Sequence, residues 1–121
     1  MTHCLIVEGT SDDKKRLSLL LGQYGFELET VADADAALDR CRQSMPDVIV
    51  MSDSLAHMDS AEFLARLNRG AKGAAPKVIV YSEEPDAGAI GRHIWTGAAE
   101  CMVKPFDADI IDLKLRQVGL L

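Results

Sequence analysis

The chain has 121 residues, of which 48% are hydrophobic, and this suits one compact domain with its own core, spanning 1–121. It carries 13 basic and 19 acidic side chains, and the formal charge of -6 argues against a surface that binds nucleic-acid phosphates. No apolar run approaches the ~20 residues of a membrane span, and the N-terminus resembles no secretory leader. We therefore expect a cytoplasmic protein with no direct nucleic-acid or membrane partner.

The first half of the chain predicts two strand–helix units. Residues 4–7 are a short apolar run typical of a strand, and residues 12–24 follow with leucines at helical spacing. Gly25 is placed where a helix cap of left-handed conformation is expected. Strand alternation resumes over 28–31, and a second helix is predicted over 33–44.

The second half continues the same alternation. Residues 47–51 are almost entirely apolar, which favours a strand buried on both faces at the centre of a parallel sheet. Asp59 is a candidate cap for the next helix. The remaining predicted elements are helices at 59–69, 86–95 and 107–118 and strands at 77–82 and 100–103.

Five strands, each followed by a helix, predict a doubly wound α/β domain with a parallel sheet covered on both faces. In such sheets functional groups gather at the carboxyl ends of the strands. Polar side chains at those ends are Glu8, Ser52, Asp53, Ser82 and Lys104. The three cysteines show no C-x-x-C spacing and are predicted to be buried free thiols.

Several motifs, taken in order, resemble the receiver family of response regulators, with most similarity to stand-alone receivers of the chemotaxis type. They are the segments 46–51 and 58–63, Ser82 at a strand end, Gly97-Ala98, and Lys104-Pro105-Phe106. The resemblance covers the whole chain. It implies a CheY-like or flavodoxin-like fold with five helices and a five-stranded parallel sheet of order 2-1-3-4-5.

The resemblance also shows departures at the site. In receivers, two acidic residues after the first strand and an aspartate after the third hold Mg²⁺, and that aspartate accepts phosphate from a phosphohistidine. Here the acidic pair is Glu8-Gly9, and the acceptor position is Ser52, a neutral hydroxyl. Because Mg²⁺ prefers carboxylate oxygens, only Glu8 is left as a metal ligand. We expect no cofactor, with Mg²⁺ at Glu8 kept as an open alternative.

Asp53 is the alternative phosphoacceptor, because a slip of one residue would bring its carboxylate to the acceptor position. Counting back from Met58-Asp59 nevertheless places the acceptor at Ser52. Side chains alternate along a strand, so Asp53 is expected to point away from the direction of Ser52 unless a bulge turns it.

Two further polar residues match the family's switch cluster. Ser82 matches the hydroxyl residue that bonds the phosphoryl group, with an ordinary strand-end hydroxyl as the other interpretation. Lys104 matches the lysine that also contacts this group, and the following peptide bond to Pro105 is cis in the family. Without an acceptor carboxylate, Lys104 is predicted to pair with Glu8.

The family's aromatic switch position, three residues before the lysine, is Cys101 here. A small thiol cannot swing as an aromatic ring does to expose or bury a surface. The resemblance implies a partner-binding face built from the helix at 86–95, the last strand and the segment 107–121. Candidate contact residues are Ile90, Ile94, Trp95, Cys101 and Phe106.

The leading hypothesis is a single-domain receiver-like signalling protein of a two-component or phosphorelay system. It would act by protein contacts, without standard aspartyl phosphorylation and without enzymatic activity or a small-molecule substrate. Its expected partners are signalling proteins such as a histidine kinase, a phosphotransferase or a downstream regulator. The alternative is a response regulator that accepts phosphate from a histidine kinase at Asp53 with Mg²⁺. A nucleotide enzyme is disfavoured, because neither G-x-G-x-x-G nor a Walker loop is present.

Overall fold

A computed structural model describes residues 2–53, 55, 58–70, 75–82, 98, 100–104 and 107–121. The strands are β1 (His3–Val7), β2 (Glu27–Val31), β3 (Val48–Ser52), β4 (Lys77–Ser82) and β5 (Glu100–Val103). The helices in this part of the chain are α1 (Ser11–Gly22), α2 (Ala34–Gln43), α3 (Ser60–Gly70) and α4 (Ala108–Gln117). The helix predicted over 86–95 lies outside the described residues.

The five strands form one parallel sheet in the order β2-β1-β3-β4-β5, as the resemblance implied. The strand order reverses beside β1, between β1 and β3, which is where ligands and active groups gather in open α/β sheets. The register pairs Val7 with Met51 and Ser52 with Tyr81. These pairings decide which side chains meet at the carboxyl edge.

Three aspartates stand just outside the helices rather than inside their first turns. The side chain of Asp33 accepts a hydrogen bond from the Ala36 N–H at 2.8 Å, and Asp59 and Asp107 cap α3 and α4 in the same way. Capping residues have non-helical backbone angles. This explains why the helices predicted from residues 33 and 107 begin one residue too early, and it confirms Asp59 as the predicted cap of α3.

The first helix also ends earlier than predicted, at Gly22 instead of residue 24. The chain turns over the next residues and reaches Gly25 with φ of 73°. The left-handed conformation expected at Gly25 is therefore present, and it costs little for glycine. Gly25 is nevertheless not the helix cap, because α1 ends at Gly22 with Gln23 as its C-cap.

The sheet is covered on both faces by separate apolar layers. One layer packs α2 and α3 against alternate residues of the central strands, including Val7, Met51 and Val80. The other packs α1 and α4 against Ile6, Val50 and Tyr81. All three cysteines are free and buried, as predicted.

Helix α4 buries a narrow apolar stripe. Ile111 and Leu115 are buried, whereas Ile110 and Leu113 are 37% and 47% exposed. A single helix face reaches the sheet, so residues on the outer side stay in solvent.

None of the helices in the described ranges combines the length and apolarity that crossing a membrane requires.

Candidate functional site

Four of the predicted site residues meet at the carboxyl edge of the sheet. Glu8 follows β1, Ser52 ends β3, Ser82 ends β4 and Lys104 follows β5. Because all strands are parallel, these ends lie along one edge. Glu8, Ser52 and Ser82 are buried, at 5%, 7% and 7% exposure. Buried polar groups need hydrogen-bond partners, so their contacts determine what this edge can do.

Glu8, Ser52 and Tyr81 follow one another across three neighbouring strands. Ser52 is the register partner of Tyr81, and Glu8 is one step beyond the pair of Val7 with Met51. Side chains alternate along each strand, so all three project toward the layer formed by α1 and α4. The acceptor position is therefore flanked by a carboxylate on one side and a phenol on the other.

The phenol and the carboxylate contact each other across β3. The Tyr81 hydroxyl donates a hydrogen bond to Oε2 of Glu8, while the Thr10 backbone N–H donates to Oε1 at 3.0 Å. The Tyr81 side chain is fully buried. We call this contact the Glu8–Tyr81 bridge. Both carboxylate oxygens of Glu8 are engaged by the protein itself.

The electrostatic surroundings keep Tyr81 protonated. Burial raises the pKa of its phenol, and the hydrogen bond to Glu8 and the negative charges of Glu8, Asp13 and Asp53 raise this pKa further. A protonated phenol is a hydrogen-bond donor. The bridge is therefore a phenol O–H paired with a carboxylate.

Lys104 lies over this bridge and pairs with a carboxylate of α1. Its Nζ is 2.6 Å from Oδ2 of Asp13 in the first turn of α1, and 5.5 Å from the centre of the Tyr81 ring. The ring distance is within the range of a cation–π contact. The Glu8–Lys104 pair stays a prediction, while the contacts described at this edge join Tyr81 to Glu8 and Asp13 to Lys104.

Asp53 turns toward Ser82. The Ser82 hydroxyl donates a hydrogen bond to Oδ2 of Asp53 at 2.7 Å, and the Asp53 backbone N–H donates to the Tyr81 carbonyl at 3.0 Å. Since alternation places Ser82 on the opposite face from Tyr81, Asp53 points away from the Glu8–Tyr81 bridge. This is the direction that the alternation of β3 predicted.

The residues at this edge do not fit the Mg²⁺ ion that the fold implies. Gly9 offers no side-chain ligand, Ser52 offers a neutral hydroxyl, and both oxygens of Glu8 already accept hydrogen bonds. Within the described ranges, no group of three histidine, cysteine, aspartate or glutamate side chains is arranged to hold a metal. Mg²⁺ binding in proteins relies on carboxylates, so the donor set is too poor.

The predicted partner-binding residues lie mostly outside the described residues. Ile90, Ile94, Trp95 and Phe106 fall beyond the described residues, as does Pro105 with the predicted cis bond. Cys101 is described and is 7% exposed in β5. Any influence of Cys101 on a partner would therefore pass through the side chains packed around it.

Sequence reasoning missed Tyr81 and Asp13. Tyr81 is the residue before the last in β4, and only the register of β3 and β4 places it beside Ser52. Asp13 is an acidic residue in the first turn of α1, close in sequence to Glu8. Its closeness in sequence to Glu8, at the end of β1, could have marked Asp13 as a candidate site residue.

The fold and the site define a doubly wound α/β domain whose polar side chains meet at the carboxyl edge of a parallel sheet. Comparison with known proteins gives its family. A family model described as the response regulator receiver domain matches residues 4–116. The chemotaxis protein CheY of Listeria monocytogenes is 33% identical over 112 residues, which cover 90% of this chain and 91% of that protein. The chain belongs to the response regulator receiver domain family.

Other relatives are longer. A protein-glutamate methylesterase/protein-glutamine glutaminase of Anaeromyxobacter dehalogenans is 30% identical over 102 residues, and the chain spans 29% of it. The chain spans 17% of a rice two-component response regulator that is 32% identical over 112 residues. Receiver domains of the CheY type are signalling modules of two-component systems, in which they interact with histidine kinases and downstream effectors.

Solved structures agree on the fold. The chemotaxis response regulator CheY4 of Vibrio cholerae superimposes with a TM-score of 0.89 at 24% identity, covering 98% of both chains. A receiver domain protein from Clostridium thermocellum gives a TM-score of 0.86 at 17% identity, covering 98% of this chain and 94% of the other.

Proposed function

We propose that this chain is a pseudo-receiver: a receiver domain that signals through protein contacts and carries no phosphate at the standard acceptor position. The observation that supports this most directly is Ser52, a buried hydroxyl where a carboxylate would be needed to form an acyl phosphate. We also propose that it acts as a single domain over 1–121 in the cytoplasm, without catalytic activity.

The contacts around Ser52 support the same proposal. Glu8 is engaged by Tyr81 and Thr10, and Lys104 is paired with Asp13. Charged groups that would contact a phosphoryl group in a relative are here partnered within the protein. A phosphoryl group would have to displace these hydrogen bonds, each of which is costly to break in a buried site.

The proposed contact surface includes the outer side of α4. Ile110, Leu113 and Leu121 are 37%, 47% and 46% exposed. Ile110 and Leu113 are three residues apart and share one face of α4, and exposed apolar side chains that are neighbours are typical of protein-binding surfaces. They lie in the segment 107–121, which the family resemblance singled out together with Ile90, Ile94, Trp95 and Phe106. The proposed partners are a histidine kinase, a phosphotransferase or a downstream regulator.

The test is incubation with acetyl phosphate and Mg²⁺, followed by intact-mass measurement. We expect no mass gain of one phosphoryl group in the natural chain, while a relative that retains the aspartate serves as the positive control. A stable gain that maps to the segment around Ser52 would contradict the proposal.

The second candidate function is phosphorylation at Asp53. The observation that favours it is the 2.7 Å hydrogen bond between Asp53 and Ser82, because this places a partly exposed carboxylate beside the family's switch hydroxyl. The alternative also needs Mg²⁺, for which Asp53 lies away from Glu8 on the other side of β3. Asp53 and Glu8 are therefore poorly placed to hold one Mg²⁺ ion together.

Asp53→Asn separates the two candidates. If the natural chain gains a phosphoryl group and Asp53→Asn does not, the second candidate is correct. Asp59→Asn is the matched control, since it changes a nearby helix-capping aspartate that lies outside the cluster.

A further inference from the structure

We infer that Tyr81 closes the acceptor pocket by itself, so that restoring an aspartate at position 52 does not restore cation binding while Tyr81 remains. This inference rests on the proposed function and extends it. The loss of metal binding then has two independent causes. The carboxylates at two positions are missing, and the Tyr81 side chain fills the space that a cation would occupy.

The Glu8–Tyr81 bridge passes over β3. β3 lies between β1 and β4, and neighbouring strands are about 4.8 Å apart, so the contact of Tyr81 with Glu8 spans roughly 10 Å above β3. Ser52 is the residue of β3 at this level, since it is the register partner of Tyr81. The phenol and the carboxylate therefore meet over the side chain of Ser52.

The Tyr81 ring is packed on both sides. Tyr81 is fully buried and belongs to the apolar layer with Ile6, Val50 and Met102. Lys104 covers the ring from outside and is held by Asp13. The ring is thus enclosed by the core below and by an ion pair above. Close-packed side chains of this kind leave no space for a hydrated cation.

Glu8 is the metal-ligand carboxylate of the family pattern that remains at this edge. Glu8 would be the partner of any new carboxylate at position 52 in holding a divalent cation. Its Oε2 accepts from Tyr81 and its Oε1 accepts from the Thr10 N–H. A cation must compete with the phenol for Oε2, and Mg²⁺ gives up its hydration water reluctantly. Removing the phenol oxygen alone frees Oε2, but removing the ring is needed to make space.

The experiment compares three variants: Ser52→Asp, Ser52→Asp with Tyr81→Phe, and Ser52→Asp with Tyr81→Val. Mg²⁺ is titrated at constant ionic strength, and the backbone amide NMR shifts of Glu8, Gly9 and position 52 are followed. We expect the variant with Tyr81→Val to bind Mg²⁺ at least about tenfold more tightly than Ser52→Asp alone, a change of about 1.4 kcal/mol. The variant with Tyr81→Phe should resemble Ser52→Asp, because the ring remains.

Equal Mg²⁺ affinity in Ser52→Asp and in the variant with Tyr81→Val would overturn the inference. The pseudo-receiver proposal would survive that result, since the natural chain has no aspartate at position 52. Conversely, phosphate uptake by the natural chain would contradict the pseudo-receiver proposal, and it would say nothing about whether Tyr81 blocks cation binding. The two failures are therefore distinguishable.

A second measurement needs no substitution and applies even if Tyr81→Val fails to fold. Hydroxyl-radical oxidation of the natural chain reports side-chain exposure, and Tyr24, which is partly exposed, is the internal reference. We expect Tyr81 to be strongly protected relative to Tyr24 in the folded chain. Oxidation of Tyr81 at the rate of Tyr24 would show an open pocket and would also overturn the inference.

Discussion

The hydroxyl of Tyr81 donates a hydrogen bond to the carboxylate of Glu8, although 73 residues separate them in the chain. The contact joins the ends of β4 and β1 across β3, at the level of Ser52. It gives a buried carboxylate a donor where relatives of this family are expected to present carboxylates to a cation. In this receiver domain the ends of β1 and β4 are therefore linked by a hydrogen bond between side chains.

Tyr81→Phe should destabilise the protein. The change leaves the ring in place but removes one donor from the buried Glu8, and a loss of this kind costs about 1 to 3 kcal/mol. The free energy of unfolding is measured by urea denaturation. Tyr24→Phe is the matched control, because the Tyr24 hydroxyl contacts Asp112 at 3.3 Å in a partly exposed position. An equal effect of both changes would show that Glu8 does not depend on Tyr81.

Asp13→Asn should cost more stability than Asp39→Asn. The Asp13–Lys104 pair is partly buried, with side chains 28% and 23% exposed, whereas the Asp39–Arg42 pair is 64% and 74% exposed. Exposed pairs contribute about 0 to 1 kcal/mol, and we expect about 1 to 2 kcal/mol for the Asp13 pair. Urea denaturation at low and high salt checks this. Identical costs for both variants would speak against a structural role of the Asp13 pair.

Glu29 should make stability depend on pH in the acid range. Burial acts to raise its pKa, but hydrogen bonds from Arg40 and His3 and their charges outweigh burial and lower the pKa below its usual 4.5. A lowered folded-state pKa adds stability above the unfolded pKa, and this contribution is lost as the pH falls through the folded pKa. Glu29→Gln should therefore weaken the loss of stability below about pH 4.5.

The control for Glu29 is Glu27→Gln, which changes an exposed glutamate on the same strand. Thermal unfolding between neutral and acid pH measures both variants. If the natural chain and Glu29→Gln lose stability in parallel as the pH falls, the His3–Glu29–Arg40 network is not responsible.

Leu17→Ala and Leu19→Ala should differ sharply although both lie on α1. Leu17 is fully buried and Leu19 is 74% exposed. Truncation of a buried leucine costs about 2 to 5 kcal/mol, whereas an exposed substitution stays within about 0.5 kcal/mol. Urea denaturation measures both. Comparable losses would mean that α1 packs in a different rotation from the one described.

Much of the fold follows from local patterns. Strands and helices can be told apart because the spacing of apolar residues changes along the chain between the strand period of two and the helix period of 3.6. Aspartates such as Asp33 and Asp107 mark the starts of helices. The departures at Gly9, Ser52 and Cys101 are also readable from sequence, since the chemistry of each position depends only on its own side chain. The same holds for the resemblance to receivers, which rests on motifs close in sequence.

The contacts within the site were decided only by the tertiary structure. Lys104 and Asp13 are 91 residues apart, and nothing local favours Asp13 over Glu8 as the partner of Lys104. Tyr81 reaches Glu8 because the register pairs Tyr81 with Ser52 and orders β1, β3 and β4 side by side. Strand register is a long-range property, set by the packing of both faces of the sheet. The sequence by itself determined which ligands are missing from this edge, and the assembled sheet determined which side chains took their place.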